Sequence, residues 1–439
     1  MNSMGAPVRH VVGHGAVVPV LSDEEAPRLR LEFLDGLRGL AALYVVEYHI
    51  SQFAPSPHAS PWRHAQQLYW HFFCYGHQAV VVFIVLSGYV LMLPVARTQD
   101  GHMPKGVWDY FKRRARRILP PYYAALSFSI LLLALYPSLQ HPALVSPWGV
   151  ALPPFVPLGT LTHILLIHNL TPHGYKIDPP MWSVALEWQI YFLFPFLFLP
   201  LWRRFGLLGP VVGASVLSLG ILHQGLFPVY AWTAPWMLVA FTLGMAGAAV
   251  NFWEADPFCR SLRDKLPWYR LGFISLLLVP IAHFLTDHRF FRSARDGDWL
   301  TNILMALAAM CFIVGSTRFL QKEHRLNRLF RWLDAPPTVK LGTFSYSLYL
   351  VHYPILGALF WGYFGLSHSQ RAAWIVVFCS VPVIVGVAYL FHLVFERPFM
   401  PTHLRKGQAR SLEKMATSTD AATPAPHEPA LHVPPKQES

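Results

Sequence analysis

Ala79-Val80-Val81-Val82-Phe83-Ile84-Val85-Leu86-Ser87-Gly88-Tyr89-Val90-Leu91-Met92-Leu93 is the centre of a stretch, 77–96, that contains no Asp, Glu, Lys or Arg. Twenty residues of α-helix rise about 30 Å, the thickness of a bilayer's hydrocarbon core. The segment therefore reads as a membrane-spanning helix. Nine further stretches read the same way: 34–53, 118–137, 184–202, 206–224, 230–251, 268–286, 299–317, 341–363 and 373–395. Composition agrees. Of 439 residues 54% are hydrophobic and 13% charged, too few charges to cover a soluble domain of this size. Fifteen Trp suit rings placed at membrane–water boundaries.

Charge orients the spans. With ten crossings and a cytoplasmic N-terminus, 28 Lys and Arg fall on the inner side and 6 on the outer, Arg38 lying within the first span. A stretch near 159–171 is too short to cross, and counting it would invert the basic loops that follow. It is expected to be a re-entrant or surface helix in an outer loop of about 140–181. The predicted fold is all-α: a polytopic integral membrane helical bundle of about ten transmembrane helices, both termini cytoplasmic. The net charge of +12 sits in short clusters between apolar runs, which argues against a nucleic-acid partner. Residues 1–30 are expected to be a flexible cytoplasmic segment without a signal-peptide core, and 401–439 a disordered cytoplasmic tail. The span pattern shows no internal repeat of the kind many transporters carry. Cys74, Cys259, Cys311 and Cys379 have no metal-ligand spacing, and neither a metal nor a disulfide framework is expected.

Ionisable groups inside spans are costly and tend to mark function. In the first span His49 lies eleven positions, about 16 Å, beyond Arg38. That places Arg38 at the cytoplasmic boundary and His49 in the middle or outer half, where an imidazole suits general-base work. Structural alternatives are a helix-bridging histidine and an arginine snorkelling to headgroups. In Trp182-Ser183-Val184-Ala185-Leu186-Glu187, Glu187 lies near the depth of His49 and is expected to orient it. Its structural alternative is a carboxylate held by a helix N-terminus. His173 and Asp178, in the preceding loop, are expected to be exposed. Ser87-Gly88 suits either close helix packing or a substrate passage. Lys112-Arg113-Arg114-Ala115-Arg116-Arg117 reads by itself as a set of topology determinants at the cytoplasmic end of a span, and either Arg113 with Arg116 or Arg114 with Arg117 shares a helix face as a fork fit for phosphate. Ser345, Tyr346, Tyr349 and His352 share a polar stripe, and His352 is the rival of His49 as the mid-membrane base. Glu396-Arg397 is expected to form a local ion pair.

Together these landmarks resemble the family-3 membrane acyltransferases, a bacterial group that O-acylates polysaccharides and some small natural products. Leu34 through His49 resembles the family's Arg-x10-His opening, and Phe83 through Gly88 its Phe-Phe-x-x-Ser-Gly element, with Ile84 for the second Phe. The arginine run before Ile118-Leu119-Pro120 resembles its Arg-x-x-Arg element. Trp182-Ser183 to Glu187, Phe344 through His352 and Glu396-Arg397-Pro398 follow in the family's order. The resemblance covers about 31–400, taken as a membrane acyltransferase domain. Some relatives carry a periplasmic esterase-like domain after the last span, and none is expected here.

The resemblance implies an acyl-coenzyme A donor, acetyl by default, bound as co-substrate with no tightly held cofactor. It implies a carbohydrate or glycoconjugate acceptor and a multi-pass location in the bacterial inner membrane. His49 is then the catalytic base, aided by Glu187. Arg38, Ser87, Arg113, Arg114, Arg116, Arg117, Trp182, Ser183, Tyr346 and His352 are the expected substrate-binding residues. The alternative is a transporter or flippase in which the buried His and Glu relay protons.

Overall fold

The computed structural model describes residues 31–53, 63–98, 100–140, 153, 156–224, 233–287, 299–366 and 370–400. The expectations for 1–30 and 401–439 fall outside them. From Glu32 onward every regular element among the described residues is helical. In chain order these are α1 (Glu32–Phe53), α2 (Arg63–Phe73), α3 (Gly76–Ala96), α4 (Gly106–Leu135), α5 (Pro157–Ile164), α6 (Met181–Leu193), α7 (Leu199–Phe205) and α8 (Leu208–Gln224). There follow α9 (Met237–Phe252), α10 (Pro257–Lys265), α11 (Trp268–Asp287), α12 (Trp299–Glu323), α13 (Pro336–Thr343), α14 (Ser345–Leu366) and α15 (Gln370–Phe391).

Six helical stretches among the described residues are long and apolar enough to cross a bilayer: His64–Ala96, Gly106–Leu135, Met181–Phe205, Trp268–Leu285, Trp299–Glu323 and Val376–Phe399. They become seven if α9 and α10, bent by 90° at their junction, count as one broken span. The protein is thus a multi-pass helical membrane protein. The other expected spans are helical but fall short of that measure. In α1, Arg38, Glu47 and His49 dilute the apolar content, and α8 has only 17 residues. The short stretch at 159–171 becomes α5, eight residues long, and the 3-10 turn His168–Leu170. Eight helical residues rise about 12 Å, far short of a crossing.

Three local features set the architecture. The first is proline-driven. Pro195 has no N–H to give to the Tyr191 carbonyl four residues back, and the helix widens into a π turn over Phe194–Phe198. The freed Tyr191 carbonyl accepts from the Tyr110 hydroxyl at 3.1 Å, which ties α4 to α6. The second is tyrosine capping. The last carbonyls of α5, His163 O and Ile164 O, accept from the Tyr122 and Tyr123 hydroxyls of α4. The third is close approach of backbones. A Cβ built on Gly88 would lie 2.0 Å from Phe241 O, and one on Gly244 would lie 2.0 Å from Val85 O. Glycine at both points lets α3 and α9 cross nearly backbone to backbone.

Overpacking that crossing should cost about 1–3 kcal/mol. Gly88→Val is expected to lower the thermal midpoint of the detergent-solubilised protein by several degrees. Gly386→Ala, where an added Cβ meets open space, should leave it unchanged. Equal midpoints for the two variants would remove the packing role.

Candidate active site

A cavity of about 850 Å³ lies among α1, α3, α4, α6 and α14. Its basic end holds Arg38, Arg114 and Arg117 with Tyr191 beside Arg114, its opposite end Ser183 and Tyr349, with Ser87 and Glu187 between. Ser183 to Tyr191 spans eight residues of α6, so the cavity runs about 12 Å along that helix.

The helical phase of α4 decides between the two arginine pairs. Arg114 and Arg117 turn into the cavity. Arg113 and Arg116 are exposed, and Arg113 pairs with Asp109 one turn back. The expectation that all four bind substrate is therefore corrected: two face the cavity and two face away. The Arg114 guanidinium lies 5.8 Å from the centre of the Tyr191 ring and 6.0 Å from that of Tyr110. Its Nε is buried with no hydrogen-bond partner among the described residues, a cation poised for an anion. Arg38 lines the same end and pairs with Asp35 at 2.8 Å.

Glu187 does not orient His49. Its Oε1 accepts from Ser87 Oγ at 2.7 Å and from Tyr191 Oη at 2.5 Å. Similar depth is not proximity: Glu187 faces α3, whereas His49 faces α14. The partner of His49 is His352, the expected rival, with Nε2 of His352 3.0 Å from Nδ1 of His49.

The hydrogen-bond pattern around this pair fixes its tautomers. His352 Nδ1 lies 2.7 Å from the Tyr349 carbonyl, so Nδ1 carries the proton and Nε2 a lone pair. Two acceptors, that lone pair and the Val45 carbonyl at 3.0 Å, converge on His49 Nδ1, which must then carry its own proton. His49 Nε2 is left unprotonated, with no hydrogen-bond partner among the described residues. A neutral imidazole whose free nitrogen bears a lone pair is a base by construction.

Neither histidine lines the cavity. Between them and it stands Tyr349, whose hydroxyl donates to Pro180 O at 3.0 Å and accepts from Ser183 Oγ at 2.6 Å. Tyr346 lines the cavity and donates to Ile118 O. Trp182 is buried against His77, the rings 5.1 Å apart and 16° from parallel. No sequence signal marked His77, because its stacking partner is 105 positions away.

Two loop expectations are also corrected. Asp178 is 1% exposed and accepts from Ser129 Oγ at 3.0 Å. Glu396 does not pair with Arg397. It is buried and accepts from Ser347 Oγ at 2.6 Å and His392 Nδ1 at 2.8 Å, because the closing π turn His392–Glu396 points it inward. Among the described residues no group of three or more His, Cys, Asp or Glu is placed to hold a metal ion.

An acyltransferase domain model matches residues 31–393, which takes in every residue of this site. The chain belongs to the acyltransferase 3 family. It is therefore an acyltransferase. Among its relatives is the acyltransferase MdmB of Streptomyces mycarofaciens, 27% identical over 90% of this chain and 97% of the relative. Others are the O-acetyltransferase OatA of Staphylococcus aureus and the peptidoglycan O-acetyltransferase OatA of Listeria monocytogenes, each 24% identical over 74% of this chain. The matches span about half the length of the OatA proteins. No solved structure matches the chain.

Burial pushes the Asp178 carboxyl up to about 7, against the hydrogen bond from Ser129, which lowers it. Between about pH 4 and 7 the folded chain then holds a proton that the unfolded chain releases. Stability contributed at this residue is present at acid pH, falls as pH rises through that window, and levels off above it. Buried His163, held down at about 4, pulls the opposite way, so the comparison needs a variant. The melting midpoint of wild type relative to Asp178→Asn should fall from pH 5 to pH 7.5. Parallel profiles would refute the assignment.

Proposed function

We propose that this acyltransferase moves an acetyl group from cytoplasmic acetyl-coenzyme A to a hydroxyl of a sugar or glycoconjugate acceptor. In this reading the chain crosses the bacterial inner membrane ten times with both termini in the cytoplasm, as the 28-to-6 distribution of basic residues favours. The observation that carries the proposal is the pairing of an anion-ready arginine end with a tautomer-fixed histidine beyond the other end of one cavity.

The donor's phosphates lie at Arg114 and Arg117, with Arg38 beside them. Its pantetheine arm runs along Ser87 and Glu187 toward Tyr349. The acceptor comes from the outer side, over Trp182 and His77. His49 Nε2 takes the proton of the acceptor hydroxyl as its oxygen attacks the thioester carbonyl carbon. The C–S bond then breaks, and the departing thiolate receives the proton from His49. As His49 charges, its Nδ1–H strengthens its bond to His352 Nε2, so His352 holds the ring in place and shares the positive charge. Glu187 acts at one remove by holding the Ser87 and Tyr191 hydroxyls on the cavity wall. The O-acetyltransferase names of several relatives support acetyl as the group transferred.

Purified protein in nanodiscs, supplied with labelled acetyl-coenzyme A and a saccharide acceptor, gives the test. Losing a positioned base should slow thiol release by about 10²–10⁴-fold in His49→Ala. Arg114→Gln should raise KM for the donor about tenfold or more, the loss of one charge-assisted phosphate contact, while Arg113→Gln leaves it unchanged. Turnover that survives His49→Ala would overturn the mechanism. Equal effects of the two arginine variants would overturn the donor site.

A further inference from the structure

A second cavity, about 660 Å³, lies between α1, α3, α11, α12 and the 3-10 segment Arg328–Asp334, and shares no lining residue with the first. Its walls are carbon: Leu37, Val82, Leu276, Ala309, Phe312 and Trp332 are representative. Ser316 contributes the single hydroxyl, and the Trp332 indole N–H is already given to Leu329 O. On the side of α11 the lining residue Leu276 is 38% exposed, beside outward-facing Phe273, Ile274 and Leu277. That face of α11 belongs in hydrocarbon, so what enters the cavity on this side comes from the lipid phase.

The segment that supplies Phe330, Trp332 and Leu333 to the wall also carries Arg328 and Arg331. Both arginines are exposed, and neither makes an ion pair among the described residues. Arg270 joins them at the start of α11, next to Tyr269, whose ring stacks on Phe330 at 5.3 Å. Neighbouring acids are engaged elsewhere or withdrawn: Asp264 pairs with Arg318, Glu323 lies 3.9 Å from Arg325, and Asp334 is half-buried. Exposed Leu329 and Trp332 alternate with the arginines, as at a bilayer's headgroup level. An apolar slot facing hydrocarbon, with unpaired arginines at one end, matches one molecule in both halves.

We propose that this cavity holds an acyl chain of an anionic glycerophospholipid whose phosphate rests on Arg328 and Arg331, with Arg270 on its flank. The site is independent of the acyl-transfer reading, since no residue is shared with it.

Native mass spectrometry of the full chain, released from nanodiscs of equimolar phosphatidylglycerol and phosphatidylcholine, tests it. One retained phosphatidylglycerol is expected, favoured about tenfold or more, in line with two or three arginines near an anionic lipid. Arg328→Gln with Arg331→Gln should equalise the two lipids without abolishing retention. Ala309→Phe, which fills the slot, should cut retention of both. Leu276→Trp, on the partly exposed α11 side, repeats that test where the core is not disturbed. Equal retention by wild type, or a preference untouched by the arginine pair, would overturn the headgroup assignment. Full retention in both slot variants would overturn the placement of the chain.

Discussion

A polar atom placed in a hydrocarbon slab has no water to turn to, and its partner must come from the same chain. Much of this structure follows from that. Glu187 is satisfied by Ser87 and Tyr191, which fastens α6 to α3. His49 and His352 satisfy one another across α1 and α14. The Tyr89 hydroxyl bridges Thr317 and Asn251, tying α3 to α12 and α9, and Glu396 draws Ser347 and His392 together where the last helix ends. Hydrophobic burial drives helices together in water but discriminates little among them in lipid. Here the polar pairs and the glycine crossing of α3 on α9 specify which helix meets which.

The same constraint locates the site. Several buried polar atoms among the described residues lack a partner, and one of them stands on a cavity wall. Arg114 Nε is that atom, on the wall of the first cavity. The lone-pair nitrogen of His49 lies beyond the cavity's far end. In the proposed reaction the first meets a phosphate and the second an acceptor hydroxyl.

What the sequence disclosed depended on range. The residues around the cavity were marked mainly by the family resemblance. Helical class and the failure of 159–171 to cross rest on local composition and spacing, and could be read along the chain. Pairings could not. His49 and His352 are separated by 303 positions and Ser87 and Glu187 by 100, and no periodicity reports which faces of distant helices meet. Depth along a helix was legible, azimuth was not. Hence Glu187 was assigned to a histidine at a similar depth on a helix it does not face. For the same reason the choice between Arg113 with Arg116 and Arg114 with Arg117 waited on the rotation of α4. Loop position suggests exposure for Asp178 and adjacency suggests Arg397 as the partner of Glu396, whereas Asp178 is buried against Ser129 and the closing π turn brings Glu396 to Ser347 and His392.

Tyr349, hydrogen-bonded to Ser183, lines the cavity on the side of His352. A thioester is a durable compound until a base and water reach it together, and a hydroxyl acceptor differs little from water as a nucleophile. In the proposed reaction, donor and base sit in separate compartments, so that a loaded enzyme awaiting its acceptor does not leak acetate. On that proposal, the phenol ring sets when the two compartments join. The ratio of productive transfer to futile hydrolysis becomes a property of one aromatic side chain as much as of the base itself.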